Sequence, residues 1–234
     1  HKGTDAQVEL HKDLSVEDIY FSFGYTSANQ GENNLQIMSG YTLDLTGNDP
    51  ITGFGQQRAG WGSFIIDGKL EFSGDDVVLD DFNFGSRTKS DGPVEFTSTT
   101  GTLTLADPGT SNHANMSLGT NNVLRLHSGL TVDNPSSNGY VRLLTAPDKY
   151  LVEAIDGQPL SNAGGLALRI DRGTMNNYES FIPAGTFQSI HFRNDRHYTR
   201  TIDLTLDGDV SLTGGTIVPG DPNADPDPIP TTTT

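Results

Sequence analysis

The chain carries six histidines as candidate general bases: His1, His11, His113, His127, His191 and His197. None lies in a hydrolase signature, since neither G-x-S-x-G nor H-E-x-x-H occurs. Ser189, His191 and Asp195 supply the residue types of a triad. They fall along one alternating stretch, however, whereas a triad is recognised by geometry and not by nearness in sequence. The acidic pairs Asp75-Asp76 and Asp80-Asp81 supply the residue type of a glycosidase couple. Neighbours on a strand point to opposite faces, and glycoside hydrolysis needs two carboxylates held about 5 to 9.5 Å apart across a cleft. Turn and edge positions, where acidic side chains block unwanted pairing, suit these aspartates better. The chain contains no cysteine, which removes thiol catalysis, disulfides and thiolate metal sites. The expectation is a protein that is not an enzyme and has no catalytic residue.

Binding residues are a different matter. Asp221, Asn223, Asp225 and Asp227 place oxygen ligands at alternate positions, as the opening of an EF-hand loop does. That loop's later Gly and Glu are missing, and Pro222, Pro226 and Pro228 interrupt it. Calcium is therefore the one candidate ion, set against a solvated linker, and no other cofactor is implied. Trp61, the single tryptophan, lies between Gly60 and Gly62 and after Gln56, Gln57 and Arg58. An exposed indole there would stack on a sugar while the neighbouring side chains bond its hydroxyls. The competing reading puts Trp61 in the core, at the head of the strand-like run Ser63 to Ile66. Asn115-Met116-Ser117 is a glycosylation sequon, whereas Asn134-Pro135-Ser136 is blocked by its proline.

The elements that must position these residues read as strands. Only 33% of the 234 residues are hydrophobic, so the core must be thin. Short alternating apolar runs are bounded repeatedly by Gly, Asn, Asp and Pro. Ser63–Ile66 and Lys69–Phe72 flank Asp67-Gly68 like a tight hairpin, and Asp207-Gly208 suggests another within 201–212. Ser15-Val16-Glu17-Asp18 resembles a capping box and allows one turn of helix at most. Leu43-Asp44-Leu45, Leu103-Thr104-Leu105 and Leu204-Thr205-Leu206 recur at unequal intervals, which argues against a solenoid or propeller period. The expected fold is an all-β antiparallel β-sandwich, jelly-roll-like in its strand number, with ten or more short strands. It divides into an N-terminal strand (1–14), the sandwich (15–218) and an extended tail rich in Pro, Asp and Thr (219–234).

Net charge of −16 repels nucleic acid and anionic membranes. No apolar run is long enough for a membrane span. A first residue other than Met, the Thr-rich tail and the acidic surface together suggest a secreted, extracellular or cell-surface protein. Ala6, Val8, Leu10, Leu14 and Val16 share one parity, which reads as an amphipathic strand with no hairpin partner before it. Such a strand can join a neighbouring subunit's sheet, and head-to-tail repetition of that contact makes a filament. The favoured role is a structural subunit of an extracellular fibre, fimbrium-like filament or matrix, a homo-oligomer with Val8, Leu10, Leu14 and Val16 as anchors. The alternative is a non-catalytic carbohydrate-binding or cell-adhesion module. Pro183-Ala184-Gly185-Thr186-Phe187, followed by 188–192, resembles the proline-glycine turn leading into a late strand of bacterial pilin sandwiches. The hairpin and tail that follow depart from that family's pattern.

Overall fold

The computed structural model describes residues 7–20, 33–48, 51–52, 62–79, 91–107, 114–119, 121–145, 148–171, 179–193, 203–214 and 217–218. Among them every regular element is a strand. The first coil of chain lays down β1 (Gln7–Leu10), β2 (Leu14–Val16) and β3 (Ile19–Tyr20). The next coils give β4 (Asn33–Ile37), β5 (Thr42–Leu45) and β6 (Ile51–Thr52), then β7 (Gly62–Ile66), β8 (Lys69–Phe72) and β9 (Asp76–Leu79). There follow β10 (Val94–Phe96), β11 (Thr102–Leu105), β12 (Met116–Ser117), β13 (Leu124–Leu126) and β14 (Thr131–Asp133). The C-terminal part adds β15 (Val141–Leu144), β16 (Lys149–Tyr150), β17 (Val152–Ala154), β18 (Ala167–Asp171) and β19 (Glu179–Phe187). β20 (Ser189–Arg193), β21 (Asp203–Leu212) and β22 (Ile217–Val218) complete it.

Every described pairing is parallel and joins strands of successive coils. The largest wall is a six-stranded sheet in the order β17-β13-β10-β8-β5-β2, and a five-stranded sheet runs β12-β15-β18-β20-β22. The molecule is thus a parallel β-solenoid, which overturns the antiparallel β-sandwich. β1 pairs in parallel with β4 of the same chain.

Both expected hairpins fail for a local reason. β7 pairs with β4, while β8 lies between β5 and β10. Asp67-Gly68 between them is a corner: the Gly68 amide donates to Ile37 O at 2.8 Å, and the Lys69 amide to Tyr41 O at 2.9 Å. Both partners belong to the previous coil, and neither corner residue has the positive φ that a type I′ turn demands. β21 runs unbroken through Asp207-Gly208, with its register against β19 shifting between Pro183 and Gly185. Gly208 sits at φ +111°, and a Cβ there would come 2.9 Å from the Ala184 side chain. Pro183 is tolerated at this irregularity because a bulge does not need its missing amide. The pilin-like turn is therefore the interior of a strand, and the capping-box-like stretch begins in β2.

Packing follows from alternation. In the six-stranded wall, Leu43, Leu70, Val94, Leu124 and Val152 lie in register, one per coil. Leu45, Phe72, Phe96 and Leu126 form the parallel column beside them, and all nine are buried. Phe72 and Phe96 stack at 4.6 Å between centroids with planes 6° apart. The residues between the columns face outward. One interior layer is thus lined by the coil's own walls, which is how a chain with few apolar residues obtains a dry core. Phe72→Ala removes a stacked, fully buried ring and is expected to cost about 3–5 kcal/mol. Urea unfolding followed by circular dichroism measures this.

Candidate functional site

The most unusual feature lies where the buried columns stop. Leu14 pairs in register with Leu43 and so occupies the inward column. Leu43 is 1% exposed and Leu14 is 42% exposed, because no further strand covers it among the described residues. Val8, on the neighbouring end strand β1, is 64% exposed. The other end repeats the pattern. Ile182 is 0% exposed, and its in-register partner Leu206, on the terminal strand β21, is 38% exposed. Three of the four large exposed apolar residues described thus mark the two ends of the stack.

This places the expected anchors more finely. The N-terminal run is two strands, not one: it breaks at 11–13, and both halves pair within the chain, β1 with β4 and β2 with β5. Leu10 and Val16 pack against the chain's own core, while Val8 and Leu14 remain open. The Thr42 amide donates to Asp13 Oδ1 at 2.8 Å and fixes the corner between the two halves.

Outward positions carry charge in rows. On the six-stranded wall Asp44, Glu71, Glu95, Arg125 and Glu153 stand in register. Arg125 reaches Glu95 at 3.1 Å and Glu153 at 2.7 Å, and Lys69 bridges Glu71 and Glu95. Burial opposes the charge on Arg125, but hydrogen bonds to Glu153 and Glu95 outweigh it and hold its pKa above the usual guanidinium value. Lys69 is raised in the same way, with burial overcome by Glu71 and Glu95. Lys149 behaves oppositely: burial lowers its pKa, and Glu153 and Asp91 only partly compensate. On the five-stranded wall Arg142 and Arg169 share Asp171, at 2.5 and 3.2 Å. The Arg169 guanidinium also lies over the Tyr140 ring, 5.4 Å from its centroid.

The remaining candidates separate clearly. Asn115 is wholly buried: its Nδ2 donates to Leu79 O at 2.7 Å and Ala106 O at 2.8 Å, and its Oδ1 accepts from the Tyr140 amide at 2.9 Å. It clamps three coils together, so the sequon is a structural asparagine and not a glycan site in the folded chain. Asn122 and Asn134 close other corners in the same manner. Asp75 accepts from Ser98 and Asp76 from the Thr102 amide, so this carboxylate pair positions a corner. Ser189 and His191 both lie on β20, whereas Asp195 falls outside the described residues. Trp61, Gln56, Gln57, Arg58, Asp80, Asp81, Asp221, Asn223, Asp225 and Asp227 also fall outside them. Among the described residues no three His, Asp or Glu side chains gather to hold a metal, and no helix is long and apolar enough to cross a membrane.

Among the described residues, fold and site together define a parallel β-solenoid with exposed apolar residues on its end strands and charged outer rows. Comparison with protein-family models, with curated proteins and with solved structures finds no match for the chain. One signal for the solenoid was present in the sequence. The apolar–charged–apolar triplets Leu70-Glu71-Phe72, Val94-Glu95-Phe96, Leu124-Arg125-Leu126 and Val152-Glu153-Ala154 each mark one coil of the same wall. Asn115→Ala strands two carbonyls and one amide, and a loss of at least about 2 kcal/mol is expected. The lowered midpoint of a chemical unfolding curve checks it.

Proposed function

We propose that the chain is a structural subunit of an extracellular assembly and that its N-terminal coil is an edge for strand addition. The observation that carries this reading is Leu14: an inward core position that the chain itself leaves 42% exposed. A buried column ending in water costs free energy that a further strand would recover, and leucine or valine burial is worth about 1.5–3 kcal/mol. Unpaired strand edges add main-chain donors and acceptors to that drive. No step of covalent chemistry is needed. Leu14→Lys combined with Val8→Lys places two charges on the open end, where they remain solvated in a single copy. The expected outcome is an unchanged circular dichroism spectrum together with lost self-association, read by negative-stain microscopy and sedimentation. A doubly substituted chain that assembles like the original sinks the proposal.

A second reading, a glycan-binding module, is favoured by one patch. Arg142, Arg169 and Tyr140 project from the five-stranded wall with Asp171 holding both guanidinium groups. Fixed guanidinium groups beside an aromatic ring suit the hydroxyl and carboxylate groups of acidic sugars. On a glycan array, binding by the original chain that disappears in Tyr140→Ala or Trp61→Ala would support it. Uniform absence of binding would dismiss it.

A further inference from the structure

We infer that the two uncovered ends are the halves of a single contact, in which β21 of one copy docks on β2 of the next, and that ionic strength switches this contact. The inference rests on the assembly reading above and names the partner of that edge: the C-terminal end of a second copy.

The geometry comes from one wall. The Leu151 amide, next to β17, donates to Phe181 O in β19 at 3.0 Å, so the six-stranded sheet continues into the β16-β19-β21 sheet. That wall begins at β2 and finishes at β21, and every pairing described along it is parallel. Docking β21 on a second copy's β2 extends the wall in the same direction. In the register that sets exposed Leu206 on exposed Leu14, each covers the other. A contact between two N-terminal ends would instead be two-fold, would make the meeting strands antiparallel and would close at a dimer. The contact between unlike ends leaves one of each end free after every addition, so it propagates.

The switch comes from charge. At the N-terminal end Glu9, Asp13, Glu17 and Asp18 are exposed, against Lys12 and His11. At the C-terminal end Asp207 and Asp209 are exposed on β21. Among the described residues, unlike ends therefore meet with like charge, on a chain whose net charge is −16. Charges act on one another over about 30 Å at 0.01 M salt but only about 3 Å at 1 M. Dilute salt keeps the copies apart, and concentrated salt lets the apolar and main-chain contacts form.

Two blocked chains test the pairing: Leu14→Lys, with its N-terminal end spoiled, and Leu206→Lys, with its C-terminal end spoiled. In about 1 M salt, sedimentation velocity should show each alone as a monomer and the mixture as a 1:1 dimer that does not grow. Leu14→Ser and Leu206→Ser repeat the test should either lysine variant lose its circular dichroism spectrum. Self-association of the original chain should strengthen about tenfold or more between dilute and concentrated salt. Asp207→Asn with Asp209→Asn should remove most of that dependence and allow assembly in dilute salt. Leu206→Lys chains that still dimerise alone would show an N-to-N contact and overturn the pairing. An equal salt response in the original and the asparagine variant would overturn the switch. An original chain that stays monomeric in every buffer would overturn the assembly reading itself, a separate result.

Discussion

The fold depends on one constraint, the in-register parallel pairing of each short strand with its counterpart one coil earlier. It places like positions above one another, so Leu43, Leu70, Val94, Leu124 and Val152 merge into one buried column. Strands of three or four residues would not hold as isolated hairpins. Here each interior strand is paired on both edges, and its apolar residues touch the same residue class above and below. The interior needs one layer of side chains from each wall, which reconciles a 33% hydrophobic composition with a continuous core.

The same constraint dictates the outer surface. In-register pairing would set Glu71 directly against Glu95, and like charges on neighbouring strands repel. Lys69 lies between them, and Arg125 divides Glu95 from Glu153. On the other large wall the roles reverse, with Asp171 holding Arg142 and Arg169 together. At the corners, where backbone groups leave the ladder, Asn115, Asn122 and Asn134 supply both a donor and an acceptor in a short side chain. Close approach matters there too: a Cβ on Gly101 would overlap the Asp75 carbonyl, so the coils could not stack at that corner with a larger residue.

Strand content and alternation were legible in the sequence, because they follow from local period. Parallel stacking was not, because the advance per coil is unequal: Leu70 meets Val94, yet Val94 meets Leu124. The triplets compared in sequence, around Asp44, Thr104 and Thr205, belong to β5, β11 and β21. The first two of these strands lie in different walls, so no common interval could emerge. Asp-Gly corners look like hairpin turns in one dimension because both need small polar residues. What separates them is whether the next amide bonds backward to the adjoining strand or sideways to the previous coil. Of the four N-terminal apolar residues, Leu10 and Val16 pack against the chain's own core, while Val8 and Leu14 are exposed.

Ladder hydrogen bonds in a solenoid point along the stacking direction, not across it. A pull along that direction loads the coil junctions in series, so each carries the full force. Failure then begins at the junction with the fewest bonds. The β3–β6 pairing joins only two residue pairs, whereas β18–β20 joins five. Yet the first junction also holds the four pairs of β1–β4 and the three of β2–β5, and β20–β22 at the other end is as short as β3–β6, so among the described residues the load meets no single soft end.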